Sequence, residues 1–380
     1  MKGCLTRREF MTLAALTCAA PALAAAVSGG AAVAEPQRPK QSAGTEREVY
    51  FYDKLPDKMV QCQICPKKCK VGDAERGFCG NKENHGGKYV SLAYGNPCSI
   101  NNDPIEKKPL FHFLPGTNAF SLAAAGCNFD CKFCQNWEIS QSRPEQMRNI
   151  DLPPGRAAEA AQQAGSRTIA FTYSEPTVFY EYMYDCAVAG RKRGLRNVMI
   201  SNGYINPKPM RKLCKTLDAV KIDFKAFTEG FYSKVCLGHL QPVLDTLVLL
   251  KSERMWFEMV YLMIPTLNDN PADIKRMSGW IMKNLGPDVP IHFTRFHPMY
   301  KLKNLQPTPL ESLERAYDIC KKAGMHFVYI GNVPGHRAEN TYCPKCEKAV
   351  VRRYGYVIQA IDIDAGRCRF CKTAIPGVWS

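Results

Sequence analysis

The 380-residue chain is 46% hydrophobic, enough to bury a barrel-sized core beside one or two small modules, which excludes a largely disordered protein. Its 18 cysteines fall in CxxC-type groups instead of scattering evenly, a usage that points to metal sites more than to disulfides. The formal charge of +16 falls to roughly +9 once three metal–thiolate sites are counted and residues 1–34 are set aside, a basicity that suits an acidic protein partner as well as RNA.

Residues 1–34 carry Thr6-Arg7-Arg8-Glu9-Phe10, an Ala/Leu-rich stretch and Ala32-Val33-Ala34, the pattern of a twin-arginine signal with a cleavage site. The apolar stretch is too short and alanine-rich for a membrane span, so none is expected apart from the signal segment. Residues 35–47 read as a polar linker. Residues 48–115 are dense in Cys, Gly, Asn and Lys with little periodicity, which implies a module held by metal. Within 116–338, candidate strands Phe120–Ala125, Thr168–Thr172, Asn197–Ser201, Ala219–Phe224, Phe257–Ile264, Ile291–Phe296 and His326–Ile330 alternate with helical stretches. The helical stretches include Ala157–Gly165, Val178–Gly194, Pro207–Leu217, Pro271–Leu285 and Pro309–Gly324. Such βα repetition predicts an α/β fold with parallel strands, here a partial (β/α)6-type barrel; a doubly wound open sheet gives a similar pattern. Residues 339–380 form a separate tail in which two CxxC pairs flank a β-rich segment.

Gly126-Cys127-Asn128-Phe129-Asp130-Cys131-Lys132-Phe133-Cys134 places a C-x3-C-x2-C run directly after the first barrel strand. Thiolates at that spacing can bind three irons of a [4Fe–4S] cubane and leave the fourth open. In a barrel, the loop after a strand lies on the face where sites are built. A zinc knuckle or a set of buried thiols is the bland alternative.

The run resembles the signature of the radical S-adenosylmethionine (SAM) superfamily. Together with Gln135–Ser140, Thr172–Thr177, Ser201–Ile205, His292–Pro298 and Asn340–Pro344, the chain after residue 60 is similar to the radical SAM component of the AmmeMemoRadiSam system, relatives of pyruvate formate-lyase activating enzymes. The resemblance implies a cluster held by Cys127, Cys131 and Cys134 that cleaves SAM reductively to a 5′-deoxyadenosyl radical, which abstracts hydrogen from a protein or small organic substrate. It assigns Glu175 to the SAM amino group, in a Gly-Gly-Glu-like element whose glycines are here Tyr173-Ser174. Ser201 and Asn202 would meet the ribose, Phe133 the adenine, and Asp223 the carboxylate. Lys225, Arg295 and His297 are the candidate catalytic or substrate contacts. An acidic donor such as flavodoxin or ferredoxin, and a protein substrate such as a glycyl radical enzyme, are the implied partners. The readings that compete are an RNA-modifying radical SAM enzyme and a non-catalytic iron–sulfur electron carrier. SAM chemistry argues for the cytoplasm and the signal for export.

Two cysteine groups flank the run. Cys62, Cys65, Cys69 and Cys79 supply four thiolates in 18 residues for zinc or an accessory iron–sulfur cluster, with His85 and Cys98 nearby. Cys343, Cys346, Cys368 and Cys371 have the spacing of a zinc ribbon, with disulfides the alternative outside the cytoplasm. Arg352, Arg353, Tyr354 and Tyr356 are too sparse for a nucleic-acid stripe, so no nucleic-acid partner is expected. His112, His239, His292 and His326 lie in apolar contexts and read as packing residues. Cys186, Cys214, Cys236 and Cys320 read as small core residues.

Overall fold

Strands that must be buried on both faces read as unbroken apolar runs, and seven of these form the parallel core of the protein. The structure, a computed structural model, describes residues 47–380; the expected signal segment 1–34 lies outside the described residues, as does nearly all of the linker. An edge strand β1 (Ser99–Pro104) runs antiparallel to β2 (Asn118–Ala123). Then follow β3 (Thr168–Phe171), β4 (Arg196–Ser201), β5 (Ala219–Asp223), β6 (Trp256–Met263), β7 (Ile291–Arg295) and β8 (Val328–Gly331), all parallel. The spatial order simply follows the chain from β8 back to β1. A doubly wound sheet would reverse its strand order at a switch point; this one does not, so the crossovers wind one way into an open, partial barrel.

Six helices make the crossovers: α1 (Pro154–Gln163), α2 (Tyr180–Lys192), α3 (Pro207–Cys214), α4 (Leu240–Ser252), α5 (Pro271–Asn284) and α6 (Leu310–Lys322). Three of them, α1, α3 and α5, begin on proline, whose fixed φ and missing N–H suit a first helical position. Helix α4 is absent from the sequence-derived set because its apolar content is nearly continuous: Val243, Leu244, Leu247, Leu249 and Leu250 are buried and Val248 is exposed, which blurs the 3.6-residue period. No helix among the described residues is long and apolar enough to cross a membrane.

The cysteine-rich segment folds as short antiparallel strands over the C-terminal ends of β2 to β4. Asn81 Nδ2 donates to the Ala125 carbonyl at 2.6 Å, the Asn206 amide and side chain donate to the carbonyls of Ile64 and Gln63, and the Tyr50 amide donates to Glu181. The tail sheet, β9 (Thr341–Tyr342), β10 (Ala349–Tyr354) and β11 (Val357–Ile361), is antiparallel. It docks at the opposite end, against residues 111–114 and the beginning of β6. Val378 exchanges backbone hydrogen bonds with His112 and Leu114, both at 2.7 Å, and the Arg353 guanidinium sits 4.2 Å from the Phe111 ring centroid.

Strand alternation divides the basic residues of the tail, and burial corrects the reading of two histidines. Arg353 faces inward, buried and donating to the Phe111, Glu339 and Thr341 oxygens, while Arg352 and Tyr354 face out. His239 is exposed and paired with Glu229, and His326 is half-buried and paired with Asp288, so only His112 and His292 of the four histidines are packed inside.

Candidate functional site

The loop that follows β2 is shaped by one glycine. Gly126 adopts φ +94°, and a Cβ there would lie 2.5 Å from the Cys79 carbonyl oxygen, so only glycine lets the loop pass the cysteine-rich module at that distance. Beyond it, the Phe129 amide donates to Cys127 Sγ at 3.4 Å, and the Asn136 amide and Ser140 hydroxyl face the Cys134 sulfur. The loop is also strapped from outside: the amides of Asp130 and Lys132 donate to the Cys236 and Val235 carbonyls at 3.0 Å, and the Lys301 amide donates to Lys132.

Burial pushes the Cys127 and Cys134 thiols above their ordinary range, and contact with the Cys236 thiol, then burial, raises Cys131. Iron binding would therefore have to displace these protons. The Phe129 and Asn136 amides and the Ser140 hydroxyl aimed at these sulfurs suit metal-bound thiolates, as a cubane held by three cysteines would supply. Chain and cluster fit.

The strand ends beside this loop carry a connected set of polar groups. Glu175, at the end of the loop after β3, is buried, and its carboxylate accepts four hydrogen bonds. The donors are the Thr177 amide (3.0 Å), the Thr177 hydroxyl (2.6 Å), the Ser201 hydroxyl (2.8 Å) and the Asn202 amide (2.8 Å). Burial raises the Glu175 pKa while these donors oppose the rise. Asn202 Nδ2 donates to Asn128 Oδ1 at 2.7 Å and lies 4.0 Å from Cys127 Sγ, and Asn128 Nδ2 donates to the Tyr204 carbonyl. Glu175, Ser201, Asn202 and the cysteine loop are thus one hydrogen-bonded unit.

Tyr173, standing where the family pattern has glycine, takes the left-handed φ of +66° that glycine favours. Its hydroxyl donates to Asp103 and its carbonyl accepts from Asn136, ties that hold the tyrosine in that conformation.

At the end of β5, Asp223 lies between Lys221 and Lys225, with Lys225 Nζ at 3.4 Å. Burial alone would raise the Asp223 pKa, but the two ammonium groups hold it below the usual carboxylate range. Burial likewise would lower Lys225, but Asp223 and the thiols of Cys131, Cys236 and Cys134 hold it above its ordinary value. Lys225 Nζ lies 5.7 Å from the centroid of Phe133, which is buried against Phe231. Arg295 ends β7, with Nε bonded to the Thr308 carbonyl at 2.8 Å, and His297 follows it, exposed.

Sequence reasoning missed Asn128, Lys221 and Cys236 as members of this region. Asn128 and Lys221 lie within quoted motifs or strands, but Cys236 comes beside Cys131 from a segment 105 residues away and carries no sequence signal.

Residues 122–277 match the radical SAM superfamily. An uncharacterized protein of Methanocaldococcus jannaschii is 46% identical over 327 residues, covering 86% of this chain and 97% of that protein. Among solved structures, a domain of a pyruvate-formate lyase-activating enzyme from Bacteroides vulgatus aligns at 15% identity over 43% of this chain and 98% of that one, with a TM-score of 0.39. A radical SAM methyltransferase from Sphaerobacter thermophilus aligns at 14% identity over 57% and 67%, with a TM-score of 0.46. With its cysteine loop at the C-terminal end of the first strand of a parallel barrel, its match to the superfamily over residues 122–277 and its 46% identical relative, the chain belongs to the radical SAM superfamily.

Proposed function

We propose that the chain is an enzyme whose Cys127, Cys131 and Cys134 hold a [4Fe–4S] cluster, with SAM bound between that loop and the ends of β3 to β5. When bound, the cluster supplies the electron that cleaves SAM to a 5′-deoxyadenosyl radical, which takes a hydrogen atom from a protein or small organic substrate. The observation that carries this reading is the single hydrogen-bonded unit linking Cys127, Asn128 and Asn202 to the buried carboxylate of Glu175. Glu175 orders Ser201 and Asn202, and Lys225 and Lys221 supply positive charge for a carboxylate; Asp223 holds Lys225 above its ordinary value and opposes the lowering that burial imposes on Lys221. Arg295 and His297 stand at the same end of the barrel as candidate substrate contacts. The kinship with glycyl-radical activases favours a protein substrate, and the likeness to the AmmeMemoRadiSam component leaves the substrate itself open.

The tail quartet is read as a zinc site. Its four sulfurs lie within 4.8 Å of one another, with Cys343–Cys371 at 3.5 Å and Cys346–Cys368 at 3.7 Å. Tetrahedral zinc with Zn–S bonds of about 2.3 Å needs sulfur–sulfur edges close to these.

The test is anaerobic. Protein reconstituted with iron and sulfide is reduced and given SAM, and 5′-deoxyadenosine is quantified by mass spectrometry beside a Cys131→Ala control. Product from the wild type alone supports reductive SAM cleavage. No product, with an EPR signal from the reduced cluster that SAM leaves unchanged, would favour the electron-carrier reading. Product stoichiometry then separates the substrate classes: one equivalent per partner protein for an activase, continued turnover for a small molecule.

A further inference from the structure

Cys236 has the sequence context of a small core residue, yet the fold brings its thiol against a sulfur of the central loop. We infer that Cys236 is a positioning residue of the cluster: its S–H donates to the Cys131 thiolate and sets how readily the cluster accepts an electron.

The backbone fixes the contact from both sides. The amides that flank Cys131, those of Asp130 and Lys132, donate to the carbonyls of Cys236 and Val235, both at 3.0 Å. The two segments are thereby held side by side, and the thiols of Cys131 and Cys236 hydrogen-bond to each other. Cys236 is completely buried and Cys131 is 8% exposed, so water does not compete for either sulfur.

The segment that carries Cys236 is built to keep it there. Tyr232–Cys236 is a single π-helical turn, a local form found mostly where function demands it. Leu237 leaves the turn at φ +58°, a conformation unfavourable to a residue with a branched side chain, and Lys67 Nζ donates to its carbonyl at 2.8 Å. The Gly238 amide returns to the Tyr232 carbonyl at 3.0 Å, and a Cβ at Gly238 would overlap the Phe129 ring. The Tyr232 hydroxyl accepts from the Lys225 amide at 3.1 Å. Withdrawing Cys236 from Cys131 would therefore disturb Phe129, Lys67 and Lys225 together.

Iron decides which thiol donates. As thiols either can, but a Cys131 bound to iron has lost its proton and only accepts, which leaves Cys236 as the donor. The Phe129 amide meets Cys127, and the Asn136 amide and Ser140 hydroxyl meet Cys134, so with Cys236 each of the three sulfurs has a donor. A small apolar residue would fill the same volume; only a donor serves Cys131. Hydrogen bonds to its sulfurs are one of the levers on a cluster's reduction potential, and a donor stabilises the charge added on reduction. The Lys225 ammonium, which faces Cys131, Cys236 and Cys134, acts in the same direction. The inference rests on the function proposed above in one respect, that the Cys127–Cys134 loop holds the cluster, and it adds no step to the reaction.

The midpoint potential of that cluster tests it, in the full chain reconstituted anaerobically and titrated by EPR without SAM. The signal to follow is the one that a Cys127→Ala/Cys131→Ala/Cys134→Ala variant lacks. Cys236→Ala is expected to shift the ratio of reduced to oxidised cluster about tenfold toward oxidised at a given applied potential, a fall of about 59 mV for one electron. Cys236→Ser, whose hydroxyl is a stronger donor than a thiol, is expected to rise above the wild type. A merely structural role does not produce the order Ala, Cys, Ser; equal potentials in all three proteins, or a fall in both variants, overturns the inference. Should the alanine variant not fold, the serine variant decides: a rise supports the donor and no rise overturns it. A signal that follows this order but ignores SAM would count against the proposed function and leave the donor standing, whereas no loop-dependent signal would sink both.

Discussion

The Glu175 carboxylate accepts four hydrogen bonds, three at Oε1 and one at Oε2. Glu175→Gln would turn an amide nitrogen toward the backbone N–H of Asn202 or of Thr177, which can only donate, leaving that buried donor unpaired. The expected cost is about 1–3 kcal/mol in denaturant titration, accompanied by weaker SAM binding in calorimetry; an unchanged midpoint would mean that the network has no part in stability. Gly126 makes a sharper demand. Gly126→Ala must either abandon φ +94° or push the Cys79 carbonyl away, with backbone strain of about 1–3 kcal/mol, so reconstituted variant should retain less iron, read from iron analysis and absorption near the cluster band. Full iron loading would show that the two cysteine loops tolerate separation. Cys127, Cys131 and Cys134 were legible as a group because local spacing alone aligns them. Tyr173 was not, because a left-handed tyrosine depends on Asp103 and Asn136, partners distant in the chain.

Elements are joined at the barrel's N-terminal end by a buried polar network that the individual segments do not announce. Glu258 on β6 accepts from the amides of Phe111 and His112 and from His292 Nε2. His112 donates from Nδ1 to the Pro376 carbonyl of the tail at 2.6 Å and accepts at Nε2 from the Tyr329 hydroxyl at 2.5 Å, so the imidazole is neutral. Burial lowers its pKa from its ordinary value to about 4, with Glu258 opposing and Arg353 and His292 assisting. Between about pH 6.5 and pH 4 the unfolded chain therefore binds a proton that the folded chain refuses. Stability is complete above that window and declines as pH falls through it, by on the order of 3 kcal/mol from this residue. Thermal unfolding at steps from pH 7 to pH 4 should show the decline, and His112→Gln should flatten it; parallel profiles for the two proteins would dismiss His112 as its source.

At the scale of the whole molecule, the two four-cysteine modules occupy opposite ends of one barrel. The outer quartet lies over the strand C-termini with the candidate site, while the tail quartet lies at the end that in such barrels serves stability. The groove shared by Cys79 and Cys127 is lined by Arg143 and Arg76 but also by Glu75, Glu83 and Asp130, with Arg76 paired to Glu83 and Glu145 and Lys301, from the loop after β7, paired to Asp130. An acidic one-electron donor would be drawn instead by the chain's formal net charge of +16. The rate of cluster reduction by flavodoxin should consequently fall about tenfold or more between low and high ionic strength, followed by stopped-flow absorbance. A rate independent of salt would remove steering from the account.

By itself the sequence determined the three-cysteine loop, the seven parallel strands and five of the six helices, since thiol spacing, apolar runs and 3.6-residue periods are local properties. Tertiary structure decided the rest. It placed Cys236 beside Cys131, turned Arg353 inward and His239 outward, and made Glu175 the centre of a network. Each depends on which distant element packs against a residue, and so on a pairing that no local pattern encodes. The closing of Cys343, Cys346, Cys368 and Cys371 to within 4.8 Å of one another arose in the same way, because CxxC-type spacing fixes how many sulfurs meet but the surrounding fold sets how far apart they stand.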